Sequence, residues 1–211
     1  MKLYIRLFLY IYVLIGLSIA RAGSYEDFFR AVKLDDARTV GALLQRGFDP
    51  NSPDDKGQVG LYLALREGSL KVAEVLLQHP QLKVDATNAA DETPVMMAAL
   101  RGNVEWTQRL LDRGAQLTRP GWTPLHYAAS GPEIKLLTLL LDRGAAIEAP
   151  SPNRTTPLMM AARYGPHDAA ELLLSRGANA RARNDQGLSA ADFARAAGRD
   201  ALASKLEQAA R

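Results

Sequence analysis

The chain has no cysteine and only three histidines in 211 residues. The first absence excludes disulfide staples, thiolate catalysis, cysteine-held zinc or iron–sulfur centres, and lipid attachment to a cysteine. Three scattered imidazoles are too few for a histidine metal centre, so no cofactor is expected. Nor is either sign of charge in large excess: 26 Lys and Arg face 23 Asp and Glu, a formal net charge of +3. A composition that is 47% apolar and 23% charged supplies a core for one medium domain and argues against wholesale disorder. A small positive excess would suit a weak binder of nucleic acid or anionic membrane, so the location of those charges matters.

Three of them lie in the first 22 residues. Lys2 and Arg6 precede an apolar run from Leu7 to Ala20, which ends in Ala20-Arg21-Ala22. A positive start, a short apolar stretch and small residues at the cleavage positions form a secretory signal layout, with cleavage expected after Ala22. The alternative is an uncleaved inner-membrane anchor, although the run is shorter than the ~20 residues a spanning helix needs. Removing residues 1–22 removes Lys2, Arg6 and Arg21 and no acid, leaving 23 basic and 23 acidic side chains. The balanced chain is expected in the periplasm or outside the cell, without stable membrane insertion, and nucleic acid is a poor partner for it.

The remainder repeats itself. TPVMMAA begins at Thr93, TPLHYAA at Thr123 and TPLMMAA at Thr156; degenerate copies begin at Val59 and Ser189, with spacings of 34, 30, 33 and 33 residues. A second mark keeps phase with the first: LLQRG ends on Gly47, LLDRG on Gly114 and Gly144, and LLSRG on Gly177. Thr followed by Pro reads as a helix start, because the hydroxyl accepts an orphan amide and Pro lacks the amide that would be wasted there. The Ala pairs at 98–99, 128–129 and 161–162 permit close helix approach. Gly68, Gly102, Gly165 and Gly198 mark turns between helices, and Ser130-Gly131-Pro132 shifts that turn by one residue. Leu pairs at 76–77, 110–111, 140–141 and 173–174 supply a second helix's core face. Gly114, Gly144 and Gly177 suit a left-handed helix end. One such unit cannot bury its own apolar face, so the units must stack.

These residues resemble the ankyrin repeat, whose hallmark is T-P-L-H-x-A on a 33-residue period. Thr123–Ala145 carries the fullest match, and the resemblance extends over about residues 24–211. It implies an all-α ankyrin-repeat solenoid of stacked helix-turn-helix units with β-turn fingers. A signal peptide at 1–22 and a repeat domain at 23–211 are expected. About six units including caps are expected, near 24–55, 56–90, 91–120, 121–153, 154–186 and 187–211. The finger before Thr123 is three residues short, His79-Pro80 replaces a Gly mark, and the terminal units are atypical, as caps should be.

Catalytic signatures are lacking. No phosphate loop, dinucleotide fingerprint, zincin or serine-hydrolase elbow occurs, so no enzyme is expected. His126 lies within the repeat hallmark and reads as a hydrogen bond between adjacent fingers. Asp112 and Asp142 recur at one repeat position and read as local to helix ends. Met96-Met97, Met159-Met160 and Trp106 read as core. Asn153-Arg154-Thr155 fits a glycosylation pattern, relevant only in a eukaryotic secretory pathway.

The resemblance places ligands along a concave face made of finger tips and first-helix ends. Repeat phase puts Gln58, Glu92, Trp122 and Thr155 immediately before helix starts, and Arg66, Glu67, Leu100, Arg101, Arg163 and Tyr164 on first helices. From these and the finger arginines, the protein-binding candidates are Arg66, Glu67, Glu92, Arg101, Arg119, Trp122, Arg154, Arg163 and Tyr164. Trp122 has two readings: an exposed interface anchor, or packing on the shortened finger, for instance on Arg119.

Charge is uneven. Residues 23–92 hold 8 basic and 12 acidic side chains, whereas 93–211 hold 15 and 11, with Lys135 and Lys205 the only lysines. That favours an acidic partner surface, because the guanidinium fork matches carboxylates. The expected function is therefore an exported, monomeric module that binds another protein. Alternatives are an immunity or inhibitor protein that neutralises a toxin or enzyme, and a membrane-tethered accessory if the signal is retained. N-terminal sequencing of the exported protein is expected to start at Gly23; an intact Met1 would support the anchor instead.

Overall fold

The computed structural model describes residues 23–211, and the expected signal segment lies outside the described residues. The fold is an all-α repeat solenoid with twelve helices among the described residues. The only strand-like pairing there is an isolated bridge between Pro53 and Val59. The chain divides into two compact units, one ending at Lys83 and one spanning Val84–Arg211.

The first unit contains α1 (23–33), α2 (Ala37–Gln45), α3 (Gly60–Glu67) and α4 (Leu70–Leu77). Its core is aromatic. The fully buried Phe28 stacks on Phe48 at 4.4 Å and meets Phe29 edge-on at 5.1 Å. This core explains the missing Thr-Pro start. Gly60 takes the first helical position, and a Cβ there would come within 2.9 Å of two Phe28 ring atoms. Asp35 adopts a left-handed turn, and its carboxylate accepts the Val72 amide at 2.9 Å. Asp36 caps α2 by accepting the Thr39 amide at 3.0 Å.

The second unit contains α5 (Pro94–Leu100), α6 (Val104–Asp112), α7 (Pro124–Ser130), α8 (Lys135–Asp142), α9 (Pro157–Tyr164), α10 (Ala169–Ser175), α11 (Ala190–Ala196) and α12 (Asp200–Ala209). First helices α5, α7, α9 and α11 stack in one row, and α6, α8 and α10 in another. The alanine pairs form the seam of the first row and are essentially fully buried. In the second row Leu110, Leu140 and Leu173 are likewise inaccessible. The helices of this row end as the sequence pattern requires. Gly114, Gly144 and Gly177 have φ of 98°, 89° and 91°. In the same turns the amides of Ala115, Ala145 and Ala178 reach back to the carbonyls of Leu110, Leu140 and Leu173 at 2.9 Å. These are paired carbonyl caps that only a left-handed residue permits without strain.

The turns between helices are of two kinds. Gly68, Gly102 and Gly198 are left-handed. Gly131 and Gly165 are instead extended, with φ of −81° and −73°. Each precedes a proline, whose ring disfavours helical geometry in the residue before it. Glycine is needed at both for a different reason, which is space. A Cβ on Gly131 would lie 2.9 Å from the Ala99 carbonyl oxygen, and one on Gly165 only 2.3 Å from that of Ala129. Each first helix thus ends against the backbone of the preceding one.

Gly165→Ala is therefore expected to destabilise the protein by about 2–3 kcal/mol, because backbone must move to admit the methyl group. Gly177→Ala meets open space and is expected to cost about 1–2 kcal/mol through the left-handed backbone alone. Urea unfolding of the two variants checks this; an equal or reversed order would show that the α7–α9 approach is not tight.

Candidate functional site

The helix start has one slot, filled in three ways across four units. Three residues after the capping Thr or Ser, a side chain accepts the cap residue's own amide. Met96 and Met159 do so through sulfur at 3.4 Å, His126 through Nδ1 at 3.2 Å, and Asp192 through carboxylate oxygen at 2.8 Å. The Ser189 hydroxyl bond also holds the Asp192 carboxyl below the ordinary range. Of these four side chains His126 reaches the next finger, where its Nε2 lies 3.0 Å from the Thr155 carbonyl. A carbonyl can only accept and an amide can only donate, so the tautomer is fixed: Nε2 carries hydrogen and Nδ1 does not. His126 is fully buried, and desolvation pushes its pKa down to about 4.

His126 is also the floor of a surface pocket of about 360 Å³. Leu100 from α5, Tyr127 and Ser130 from α7, Met160 and Tyr164 from α9, and Trp122 from the finger form the rest of its lining. The walls are mainly apolar and aromatic, a chemistry that suits one large inserted side chain. Trp122 is half-buried and stands edge-on to the His126 ring at 5.2 Å. Arg119 is engaged with the preceding finger. That guanidinium is committed to Asp91, donating to the carboxylate at 2.6 Å and to the carbonyl at 2.9 Å, and its side chain is only 18% exposed. Beside Trp122, Gly121 turns left-handed, and a Cβ there would lie 3.7 Å from the Pro152 ring.

The other sequence candidates fall into distinct situations. Arg66 donates to Glu67 at 2.7 and 2.9 Å and to Gln58 at 2.9 Å, so each side chain largely satisfies its neighbour. Glu92 accepts from the Tyr127 hydroxyl at 2.8 Å and from Asn88 at 2.7 Å, which fixes one pocket wall. Arg154 is exposed in a left-handed turn, its amide bonded to the Ser151 carbonyl. Arg101 is exposed at the end of α5, beside Leu100. Arg163 lies 5.3 Å from the Tyr164 ring centroid, and Tyr164 is 57% exposed. Thus Trp122 and Tyr164 line one pocket, Arg163 and Arg101 sit next to lining residues, and Arg66 and Glu67 belong to the first compact unit.

Sequence reasoning missed Tyr127, Ser130 and Met160. Their signal was spacing: 127 with 130, and 160 with 164, lie on one helical face. That face borders the buried stripe without belonging to it. Asp112 and Asp142 form a ladder along the helix ends, pairing with Arg143 at 3.0 Å and Arg176 at 2.8 Å in the following repeat. Such exposed pairs contribute roughly 0.2–1 kcal/mol each.

The model of the family described as ankyrin repeats (3 copies) matches residues 28–120, 81–151 and 116–184. The chain belongs to the ankyrin-repeat family. The repeats of this family are generally non-catalytic protein-interaction modules. Among curated relatives, the nuclear factor NF-kappa-B p105 subunit of Gallus gallus is 30% identical over 161 residues, 73% of this chain and 16% of the relative. The human ankyrin repeat and KH domain-containing protein 1 is 39% identical over 100 residues, covering 45% of this chain and 4% of that protein. The chain thus spans under a third of the length of the curated relatives it matches. Among solved structures, a chain from the complex of the predatory endopeptidase Bd0816 of Bdellovibrio bacteriovorus with the immunity protein Bd3460 superposes with a TM-score of 0.72. The match is 24% identical and covers 86% of this ankyrin chain and 97% of that chain.

His126 makes ankyrin stacking sensitive to acid. The unfolded imidazole binds a proton near 6.5 and the folded one only near 4. Between those values the unfolded chain holds more protons, so stability falls as pH drops through this window. The loss approaches about 3 kcal/mol when the folded value is passed. In His126→Met, which copies the neighbouring units, acidification from pH 7 to 4 is expected to cost roughly 2–3 kcal/mol less than in the parent. Denaturant titrations at each pH check this, and equal losses would exonerate the imidazole.

Proposed function

We propose that the protein is an exported ankyrin-repeat module that binds another protein through its finger and first-helix face, without catalysis. The observation that carries this reading is the aromatic pocket spanning α5, α7 and α9, with Tyr164 left 57% exposed at its edge. A large aromatic side chain left in water beside a preformed apolar pocket matches the anchoring centre of protein interfaces. Export rests on residues 1–22 acting as a cleaved signal peptide, which would deliver a soluble monomer to the periplasm or beyond. No helix among the described residues is long and apolar enough to cross a membrane.

A second reading keeps the same face and makes the partner a toxin or hydrolase, the chain serving as its immunity protein or inhibitor. The endopeptidase–immunity protein complex suggests this reading, while its 24% identity carries the fold alone. Retention of the signal would instead give a membrane-tethered accessory.

Affinity capture with the full chain from a periplasmic extract of the source organism, read by mass spectrometry, tests the proposal. Trp122→Ala and Tyr164→Ala are expected to reduce recovery of the partner at least tenfold with near-parental unfolding midpoints. Lys135→Gln, at the exposed start of a second helix, is expected to leave recovery unchanged. Undiminished recovery by both aromatic variants would exclude this face. Rescue of growth on co-expression with the captured partner would favour the inhibitor reading over a scaffold.

A further inference from the structure

Resting on that reading, the geometry points to the chemistry of the partner's contacting segment: one large apolar side chain inserted into the pocket, with a carboxylate close to it in sequence. The pocket sets the first requirement. Its volume of about 360 Å³ has ample room for a Phe, Leu or Trp side chain. The faces offered by Trp122, Tyr127, Tyr164, Met160 and Leu100 reward apolar and aromatic contact.

Arg163 sets the second. Its guanidinium lies 5.3 Å from the ring centroid of Tyr164 and 6.0 Å from that of Phe193, so two aromatic rings define its position. No carboxylate pairs with it among the described residues, although several arginines of this unit are paired. Arg119, Arg143, Arg176 and Arg195 each have an acidic partner. Nor is Arg163 consumed by the helix end it sits on. The α9 carbonyls of Ala161, Ala162 and Gly165 are taken by Arg199, at 3.0, 3.0 and 3.1 Å. An oriented guanidinium without a counter-ion, against a pocket wall, is arranged to receive an external carboxylate in a bidentate bond. Arg101 at the end of α5 is likewise exposed and without an acidic partner among the described residues.

The α5 side carries both signs, with Arg101 at the end of the helix and Glu92 just before its start. Glu92 holds the Tyr127 hydroxyl and would repel an acid placed beside it. An acid in the bound segment is therefore favoured beside Arg163 or Arg101 and disfavoured beside Glu92. Basic and purely apolar segments leave Arg163 unanswered and are disfavoured.

A dodecapeptide library displayed on phage and selected on the immobilised full chain tests this. The expected consensus is a large apolar residue with Asp or Glu within two positions. Binding of a synthesised consensus peptide is expected to weaken tenfold or more in Tyr164→Ala. It should also weaken tenfold or more in Arg163→Glu, and a peptide with Lys in place of the acid should recover at least part of that loss. Such charge-swap rescue cannot arise from a merely structural role of Arg163. A consensus without an acid, absence of rescue, binding indifferent to Tyr164, or no enrichment each overturns the inference. If partner capture depends on Trp122 and Tyr164 while the selected peptides lack the acid, only this chemistry falls. If capture ignores both residues, the binding face falls with it.

Discussion

Backbone-to-backbone proximity along the first helices of the second unit is the constraint that organises its surface. Alanine pairs carry α5, α7 and α9 side by side, and Gly131 and Gly165 bring each helix end against the carbonyl oxygens of the one before. At Gly131 and Gly165 even a methyl group would meet backbone of the neighbouring helix. Of the larger side chains on these helices, Tyr127, Met160 and Tyr164 emerge at the rim around Trp122, while Met96, Leu125 and Met159 are buried. The pocket thus lies beside the seam, lined by side chains of the same three helices.

The same economy of space explains the helix-start slot. Each unit must satisfy the amide of its capping residue, which faces no helical partner. Sulfur, imidazole nitrogen and carboxylate oxygen all perform that task here. Imidazole alone also reaches the next finger, to the Thr155 carbonyl. It occurs once, in the unit with the shortened finger, beneath Trp122. A buried neutral histidine therefore links stacking to the floor of the candidate site, and this link carries the acid sensitivity.

Electrostatics divides the arginines by role. Those at second-helix ends form a ladder with aspartates of the preceding repeat, Arg119 ties one finger to the next, and Arg199 covers the end of α9. Subtracting these leaves Arg101, Arg154 and Arg163 without a carboxylate partner among the described residues at the face of interest. A count of arginines in this half suggests a diffuse positive surface. Their pairing reduces it to a local feature beside one pocket.

Much was legible in the chain itself. Fixed spacing of Thr-Pro and Leu-Leu-x-x-Gly marks determined the repeat, because capping, fixed proline φ and left-handed glycine are local chemistry acting over a few residues. Trp106 and the alanine pairs were readable as core for the same reason: helical periodicity assigns a face before any partner helix is known. What only tertiary structure decided concerns the partners of side chains. Trp122 stands on His126, and Arg119 is spent on Asp91, a residue 28 positions earlier. The extended Gly165 serves the helix before its own, and Tyr127 and Met160 join Tyr164 in one pocket. Each of these is a contact between successive repeats, whose register depends on finger length and helix approach. Sequence fixes which residues each unit offers, but a contact across units exists only once stacking has brought them within reach.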